Sequence, residues 1–236
     1  MQALYLSKRK RDGIKYGEKP AACALSADTA SCPGRILYCC AKRGFDVAFS
    51  LLVLVGFSWF YLLVAVAVKL DDPQAPVLFR QVRVGEGGRQ FEMYKFRSMV
   101  QDADLLTGSL RGRNQKDGPV FKIANDPRVT RVGRILRKTG IDELPQFFNV
   151  LRGDMSIVGP RPALPHEVAE YTPYQRQRLS VPQGLTCYWQ IQPHRDSIGF
   201  DDWVEMDLMY IKNRCAWLDL KLIVKTLGAV MTAQGS

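Results

Sequence analysis

Hydrophobic residues are concentrated in one segment, residues 47–68, which holds 22 consecutive positions without a charged side chain. As an α-helix this segment would be about 33 Å long, enough to cross the hydrocarbon core of a bilayer. A helix that is apolar on every face over six turns is rarely the core helix of a soluble protein. The pattern therefore predicts a membrane helix, with boundaries at 42–72 because Asp71-Asp72-Pro73 ends the helical period.

Positively charged residues lie on both sides of this segment. Nine Lys and Arg residues precede it and six follow it before residue 98. Since such residues mark the cytoplasmic side of a membrane protein, the flanks favour a re-entrant helix that enters and leaves by the same face, with a straight span as the alternative. Gly56-Phe57-Ser58 would allow the bend, and Trp59 and Tyr61, which prefer the membrane interface, lie beside it.

The rest of the chain alternates between short strand-like and helical patterns. Residues 77–84 and 91–99 are separated by Gly85-Glu86-Gly87-Gly88, which predicts a β-hairpin. Apolar positions at helical spacing predict helices at residues 131–138, 142–151, 167–180 and 203–213. Asp142 is the expected N-cap of the second of these helices. Together these elements predict an α+β fold, with a mainly helical core and a small β-hairpin.

The two ends of the chain have different patterns. Residues 1–41 mix Lys-Arg clusters with Gly, Ser, Ala and Pro and show no amphipathic period, which predicts a basic mobile tail near anionic headgroups. Residues 73–236 are expected to form a cytosolic core. Its last segment, residues 217–231, combines an aromatic residue, leucines and lysines, and predicts either a helix in the membrane interface or, equally, a helix packed on the core.

Composition narrows the classes of partner. The formal charge of +10, from 33 Lys and Arg against 23 Asp and Glu, favours nucleic acid, an acidic lipid surface or a phosphorylated substrate. The six cysteines form no Cys-x-x-Cys pair and there are only two histidines, which argues against a zinc site and against histidine-based catalysis. Because the cysteine spacings are irregular, we expect reduced thiols in the cytosol.

Two adjacent carboxylates, Asp142 and Glu143, follow a strongly basic segment, residues 128–138. Such a pair suits chemistry on a phosphate, in which one acid attacks or binds a metal while the cations neutralise the substrate. Acids that complement a helix dipole are the structural alternative. Arg161, held between two prolines, adds a rigidly mounted guanidinium that can meet a phosphate, with an ordinary turn as its alternative.

Further short motifs follow one another along residues 42 to about 227: Lys42-Arg43-Gly44-Phe45-Asp46, Phe79-Arg80-Gln81-Val82-Arg83-Val84-Gly85, Tyr94-Lys95-Phe96-Arg97-Ser98-Met99, Asp126-Pro127-Arg128-Val129-Thr130, Asp142-Glu143-Leu144-Pro145-Gln146, Gly153-Asp154-Met155-Ser156, Val158-Gly159-Pro160-Arg161-Pro162, Gly184-Leu185-Thr186, Trp189-Gln190 and Trp217-Leu218-Asp219-Leu220-Lys221. In this order they resemble the monotopic phosphoglycosyl transferases, bacterial sugar transferases also described as polyprenyl-phosphate hexose-1-phosphate transferases. Relatives usually place Ser-Pro at the bend of the membrane helix, where this chain has Ser58-Trp59.

The resemblance implies a mechanism. Asp142 would attack a UDP-sugar and carry the sugar 1-phosphate covalently, UMP would leave, and a polyprenyl phosphate, undecaprenyl phosphate in most bacteria, would accept the group. Asp142 and Glu143 would hold Mg²⁺, with assistance to proton movement as the alternative role of Glu143. The candidate phosphate- or substrate-binding residues are Lys95, Arg97, Arg137, Arg161 and Arg195, the last with a solvated charge as its alternative.

The resemblance also implies a location and a pathway. It suggests the minimal form of the family in the bacterial inner membrane, with the catalytic core on the cytoplasmic face and a role in exopolysaccharide, capsule or glycan assembly. It implies no nucleic-acid partner, and a homo-oligomer remains open. Two other functions are the alternatives: an inactive relative that regulates a partner, and a membrane-anchored basic module that binds anionic lipid or nucleic acid. The intact Asp142-Glu143 pair argues against both.

Overall fold

The computed structural model describes residues 33–103, 105–110, 112, 114, 117–120, 123, 126–192 and 197–231, so most of the predicted basic tail lies outside the described residues. The α-helices in this part are α1 (Pro33–Gly56), α2 (Ser58–Asp71), α3 (Thr107–Leu110), α4 (Arg131–Thr139), α5 (Gln146–Arg152), α6 (Pro165–Ala169), α7 (Pro173–Arg176), α8 (Phe200–Asn213) and α9 (Ala216–Met231). The strands are β1 (Leu78–Val84), β2 (Gln90–Phe96), β3 (Ser156–Val158) and β4 (Gly184–Thr186). This mixture of helices and small sheets confirms the α+β prediction.

The apolar segment forms two helices, α1 and α2, that are bent by 63° relative to each other. Among the described residues no single helix is long and apolar enough to cross a membrane, although this bent pair together has a suitable length and composition. The break falls at Phe57, within the predicted Gly56-Phe57-Ser58 bend. The described part of α1 begins at Pro33, earlier than the predicted residue 42.

Among the described residues, the bent pair is buried along one edge. Val64 and Val68 of α2 pack with Phe96 and Leu136 in a small core cluster. Large apolar side chains elsewhere on the pair are exposed: Leu51, Leu52, Val55, Trp59, Leu62, Leu63, Val66 and Leu70. The pair therefore presents a broad apolar face that the described part of the chain does not cover.

The basic motif before the apolar segment attaches α1 to the rest of the protein. The Nζ atom of Lys42 lies 2.8 Å from Oδ2 of Asp219 in α9. The Arg43 guanidinium donates to two backbone carbonyls near the end of α5, at 2.6 and 2.8 Å. The buried Asp46 carboxylate accepts the N–H of Ile157 in β3. Because these contacts reach three separate elements, they fix the orientation of α1 on the core.

The predicted β-hairpin is present. Strands β1 and β2 are antiparallel, with a register that runs from Leu78 opposite Phe96 to Val84 opposite Gln90. Gly87 in the connecting turn has φ 65°, a conformation that favours glycine. The α5 helix packs against β2, where Asn149 accepts the N–H of Tyr94 at 3.0 Å.

Two predicted helices differ from the observed ones. The helix expected at 142–151 is a 3₁₀ turn, Ile141–Glu143, followed by α5, so Asp142 is not an N-cap. Pro145 lies at the start of α5, since proline has no N–H to contribute to the helix interior. The helix expected at 167–180 is divided at Thr172, because Pro173 disfavours helix in the residue before it and the Thr172 hydroxyl caps α7 instead.

The parallel pair of β3 and β4 lies outside the sequence predictions. Each strand has three residues, too few for a periodic pattern. A Cβ atom on Gly184 would lie 2.0 Å from the backbone nitrogen of Gly159, so only glycine permits this approach. The contact places β4 beside the Pro160-Arg161-Pro162 segment that follows β3. Around this pair lies the main core, in which Val158, Val204 and Leu222 are almost fully buried.

Candidate active site

The Asp142-Glu143 pair lies on a short turn between two helices. Helix α4 ends at Gly140, whose φ of 70° is in the left-handed region that favours glycine. The chain then forms the 3₁₀ turn and enters α5 after Pro145. Glycine on one side and proline on the other fix the length and direction of this turn, and therefore the position of the two carboxylates.

Arg137 is positioned by a close contact between α4 and the chain that follows β2. A Cβ atom on Gly133 would lie 2.1 Å from the backbone oxygen of Ser98, so the helix approaches this segment more closely than any side chain would allow. The Nε atom of Arg137 donates to Oγ of Ser98 at 2.9 Å. Burial lowers the pKa of Arg137, and the nearby Asp142 carboxylate opposes this effect by favouring the charged form.

Asp142 is a buried carboxylate, with 6% of its surface exposed. Burial raises its pKa to about 6, and repulsion from Glu143 acts in the same direction, whereas Lys95 and Arg137 lower it. The side chain is therefore ionised at neutral pH but titrates near physiological conditions. This combination suits a carboxylate nucleophile, because a weakly solvated carboxylate is more reactive.

Lys95 on β2 brings the hairpin into the site. Its Nζ atom lies 2.6 Å from Oε1 of Glu143, and both side chains remain partly exposed. A small pocket opens beside this ion pair. Its lining residues are Arg83, Met93, Lys95, Glu143, Gln146, Arg161, Pro162, Gly184, Leu185 and Gln190. The structure thus brings three of the predicted site residues, Lys95, Glu143 and Arg161, to one pocket.

Arg161 is held by an aromatic stack as well as by its two prolines. Its guanidinium carbon lies 5.7 Å from the centre of the Trp189 ring. Trp189 in turn stacks on Trp203 of α8, with ring centres 4.1 Å apart. A guanidinium placed over an aromatic face keeps its N–H groups available at its edge. The arrangement presents Arg161 to the pocket as a fixed cation.

Three of the predicted site residues that the structure describes, Asp142, Arg137 and Arg97, do not line this pocket. Arg97 donates from Nε to the Pro76 carbonyl at 2.9 Å and lies 5.6 Å from the centre of the Phe79 ring, and it does not line the pocket. Arg195 lies outside the described residues. Asp154 forms an ion pair with Arg89 at 2.6 Å.

Sequence reasoning missed three polar residues of the pocket: Arg83, Gln146 and Gln190. Arg83 directly precedes Val84, a core residue, so strand alternation predicts that its side chain faces solvent. Both residues are buried, because the end of β1 is covered on both sides. The signal in the sequence that could have identified Arg83 is its position between two apolar residues, Val82 and Val84, at the end of a strand.

The carboxylates of the site bear on the expected Mg²⁺. No group of three His, Cys, Asp or Glu residues able to hold a metal occurs within the described part of the chain. Mg²⁺ usually takes one or two protein carboxylates and completes its shell with water and substrate phosphates. Adjacent Asp142 and Glu143 fit that mode of binding, in which phosphate oxygens supply the remaining ligands.

Residues 37–233 match the family model described as bacterial sugar transferase. The chain belongs to this family, and the resemblance drawn from its motifs is confirmed.

Three relatives show how far the similarity extends. The galactosyl transferase CpsE of Streptococcus agalactiae is 41% identical over 196 residues, which are 83% of this chain and 43% of that protein. The UDP-N-acetylgalactosamine-undecaprenyl-phosphate N-acetylgalactosaminephosphotransferase of Aeromonas hydrophila is 40% identical over 206 residues, 85% of this chain and 46% of that protein. The exopolysaccharide production protein ExoY of Rhizobium meliloti is 37% identical over 200 residues, 83% and 88% respectively. The chain thus spans less than half the length of the first two relatives and most of the third.

Proposed function

We propose that this protein transfers a sugar 1-phosphate from a UDP-sugar to a polyprenyl phosphate such as undecaprenyl phosphate, as the first membrane step of exopolysaccharide, capsule or glycan assembly. The observation that carries the proposal is the buried Asp142 carboxylate beside Glu143, Lys95 and Arg137, next to a pocket that also contains Arg161. Family membership supports the class of reaction. The names of the relatives support the nature of the donor, the lipid acceptor and the pathway.

In the first half-reaction, an Oδ atom of Asp142 forms a bond to the β-phosphorus of the UDP-sugar. The bond between this phosphorus and the bridging oxygen breaks, and UMP leaves with the electron pair. Lys95 and Arg137 favour the ionised form of Asp142, which is the form that attacks. Lys95 and Arg161 face the pocket and neutralise charge on the phosphates.

In the second half-reaction, an oxygen of the polyprenyl phosphate forms a bond to the same phosphorus. The bond to Asp142 breaks, which restores the carboxylate and releases a polyprenyl diphosphate sugar. Asp142 and Glu143 would hold Mg²⁺, which when bound supplies positive charge to the phosphate oxygens. Lys95 keeps the Glu143 side chain at the pocket through their ion pair.

A lipid acceptor requires that the site lies at a membrane surface. The 63° bend and the uncovered apolar face of α1 and α2 support a re-entrant helix pair with both ends on the cytoplasmic side of the inner membrane. On α9, Asp219 and Leu222 face the core, whereas Trp217, Leu220, Val224 and Leu227 are exposed at helical spacing. This stripe suits a helix in the interface that lies alongside the bent pair.

The proposal is tested by UMP release from protein held in nanodiscs, with Mg²⁺, a panel of UDP-sugars, and undecaprenyl phosphate present or absent. We expect sustained release only with a suitable donor and the lipid. Without lipid, release should stop near one UMP per protein, and mass spectrometry should find a sugar phosphate on the peptide that contains Asp142. Asp142→Asn should abolish both signals, while Asp102→Asn, at an exposed carboxylate, should retain them.

A folded protein that releases no UMP from any donor would contradict the proposal. Sustained turnover by Asp142→Asn would contradict the covalent intermediate while leaving the transfer reaction in place.

A further inference from the structure

Arg83 on β1 is a buried cation that the proposed mechanism does not use. It is 7% exposed, yet it lines the pocket beside Arg161 and Lys95. Buried arginines are nearly always paired with a carboxylate. Here Nη1 donates to the backbone oxygen of Pro162 at 3.0 Å and Nη2 to Oε1 of Gln81 at 2.6 Å, and both of these acceptors are neutral.

The third nitrogen of this guanidinium, Nε, differs from the other two. Nε of Arg83 is buried and has no hydrogen-bond partner among the residues that the structure describes. A buried N–H without an acceptor is unfavourable unless something else supplies one. Since the Arg83 side chain lines the pocket, a ligand bound there is the candidate source of this acceptor.

The carboxylates that act on Arg83 are both engaged by other groups. Burial, and after it repulsion from Arg161, lowers the pKa of Arg83 to about 10. Glu143 and Glu167 act in the opposite direction, but Glu143 is engaged by Lys95 at 2.6 Å. Glu167 accepts the N–H of Leu164 at 2.8 Å. Two guanidinium groups therefore repel each other at a pocket where, among the residues that the structure describes, one carboxylate is in the lining.

We propose that Arg83 and Arg161 together bind the diphosphate of the nucleotide-sugar donor, with Nε of Arg83 donating to a phosphate oxygen. This inference rests on the proposed function, because it assigns a residue to the donor of that reaction. A diphosphate fits the pair, since it brings several negative charges and acceptor oxygens that match two forked guanidinium groups. It would also relieve the repulsion between them, so Arg83 contributes to selection of a diphosphate over a monophosphate.

Binding measurements without turnover test this assignment. Inorganic pyrophosphate, UDP and UMP are titrated calorimetrically, in Mg²⁺ buffer, into detergent-held wild type, Arg83→Gln and Arg83→Lys. Arg80→Gln is the matched control, because Arg80 lies on the same strand with a side chain 64% exposed and 3.8 Å from Glu92. We expect Arg83→Gln to weaken pyrophosphate and UDP binding by about tenfold or more, and UMP binding far less. Arg83→Lys should fall between Arg83→Gln and wild type, and Arg80→Gln should bind like wild type.

Thermal unfolding of each variant separates binding from folding. Arg83→Gln or Arg83→Lys protein that folds and binds pyrophosphate as tightly as wild type would overturn the assignment. An equal loss for all three ligands, together with a lower Tm, would show that Arg83 only supports the Pro162 backbone, and would overturn it too. Wild type that binds pyrophosphate through Arg83 but releases no UMP from any UDP-sugar would leave the assignment standing and overturn the proposed function instead.

Discussion

The Nζ atom of Lys95 lies 2.6 Å from Oε1 of Glu143, and this ion pair joins the β-hairpin to the turn that carries Asp142. The two partners have opposite effects on the pKa of the neighbouring Asp142: Lys95 lowers it and Glu143 raises it. The effect of burial is larger than either, and the resulting pKa is about 6. The hairpin therefore sets how readily the carboxylate ionises.

Lys95→Met should shift the acid limb of activity to higher pH. Burial and Glu143 raise the pKa of Asp142, and Lys95 is one of the two cations that lower it. Without Lys95 the pKa of Asp142 therefore rises above its present value of about 6. We also expect a loss of roughly tenfold or more in rate at neutral pH, because a charge that faces the phosphates is removed. The measurement is the pH profile of single-turnover UMP release. Arg80→Gln, at an exposed arginine on β1, should keep the wild-type profile; an unmoved acid limb in Lys95→Met would contradict the electrostatic role.

Glu143→Gln should move the same limb in the opposite direction. Loss of the neighbouring negative charge lowers the pKa of Asp142, so the carboxylate stays ionised to lower pH even where the overall rate falls. The position of the limb is read from relative rates in single-turnover experiments and does not depend on their absolute size. A limb that moves upward would mean that Glu143 does not repel Asp142 in the working site.

Asp142→Asn should make the protein more stable at neutral pH. Because burial raises the folded-state pKa of Asp142 to about 6, the folded protein binds this proton more tightly than the unfolded chain does. The wild type therefore loses stability as pH rises from about 4 to 6, and the asparagine variant does not. Above pH 6 we expect the variant to gain about 1–3 kcal/mol in free energy of unfolding, and the gain to disappear near pH 4. Denaturant unfolding of both proteins over this range measures the difference; a constant offset at all pH values would refute the linkage.

Gly133→Ala should displace Arg137 and destabilise the core. The new Cβ atom would lie 2.1 Å from the Ser98 backbone oxygen, so α4 would have to move away. We expect a loss of about 1–3 kcal/mol in free energy of unfolding and a loss of activity. Gly228→Ala on α9 is the control, since its Cβ meets nothing within 4 Å. That change should be neutral or stabilise by about 0.5–1 kcal/mol; equal effects of the two substitutions would rule out the steric account.

Asp219→Ala should loosen the attachment of the N-terminal helix. The Asp219 carboxylate accepts from Lys42, Tyr38 and Tyr210, each at 2.8 Å, and ties α1 to α8 and α9. Its removal leaves a largely buried lysine without its partner, for which we expect a loss of about 3 kcal/mol. Thermal unfolding in detergent measures this, with Asp102→Ala expected to stay within about 0.5 kcal/mol of wild type. A loss no larger than that of Asp102→Ala would mean that this carboxylate does not anchor α1.

Local patterns predicted the elements that have a local physical cause. The hairpin follows from the glycines at 85, 87 and 88, and α4 from its amphipathic period. The bend at Phe57 falls where Gly56 and Ser58 loosen the helix. Adjacency in sequence was enough to identify the Asp142-Glu143 pair beside its basic segment and to show that Arg161 is held between two prolines.

Only the tertiary structure decided which distant residues share the pocket. Lys95 meets Glu143 because the hairpin packs on the 3₁₀ turn, and Arg83 meets Arg161 because the end of β1 is covered by the segment after β3. Strands of three residues, such as β3 and β4, carry no periodic signal and form through the close Gly159–Gly184 contact. The burial of Asp142 was also decided by the tertiary structure. The sequence shows that this residue is an acid, but its raised pKa depends on desolvation by residues from several elements, which no local sequence pattern predicts.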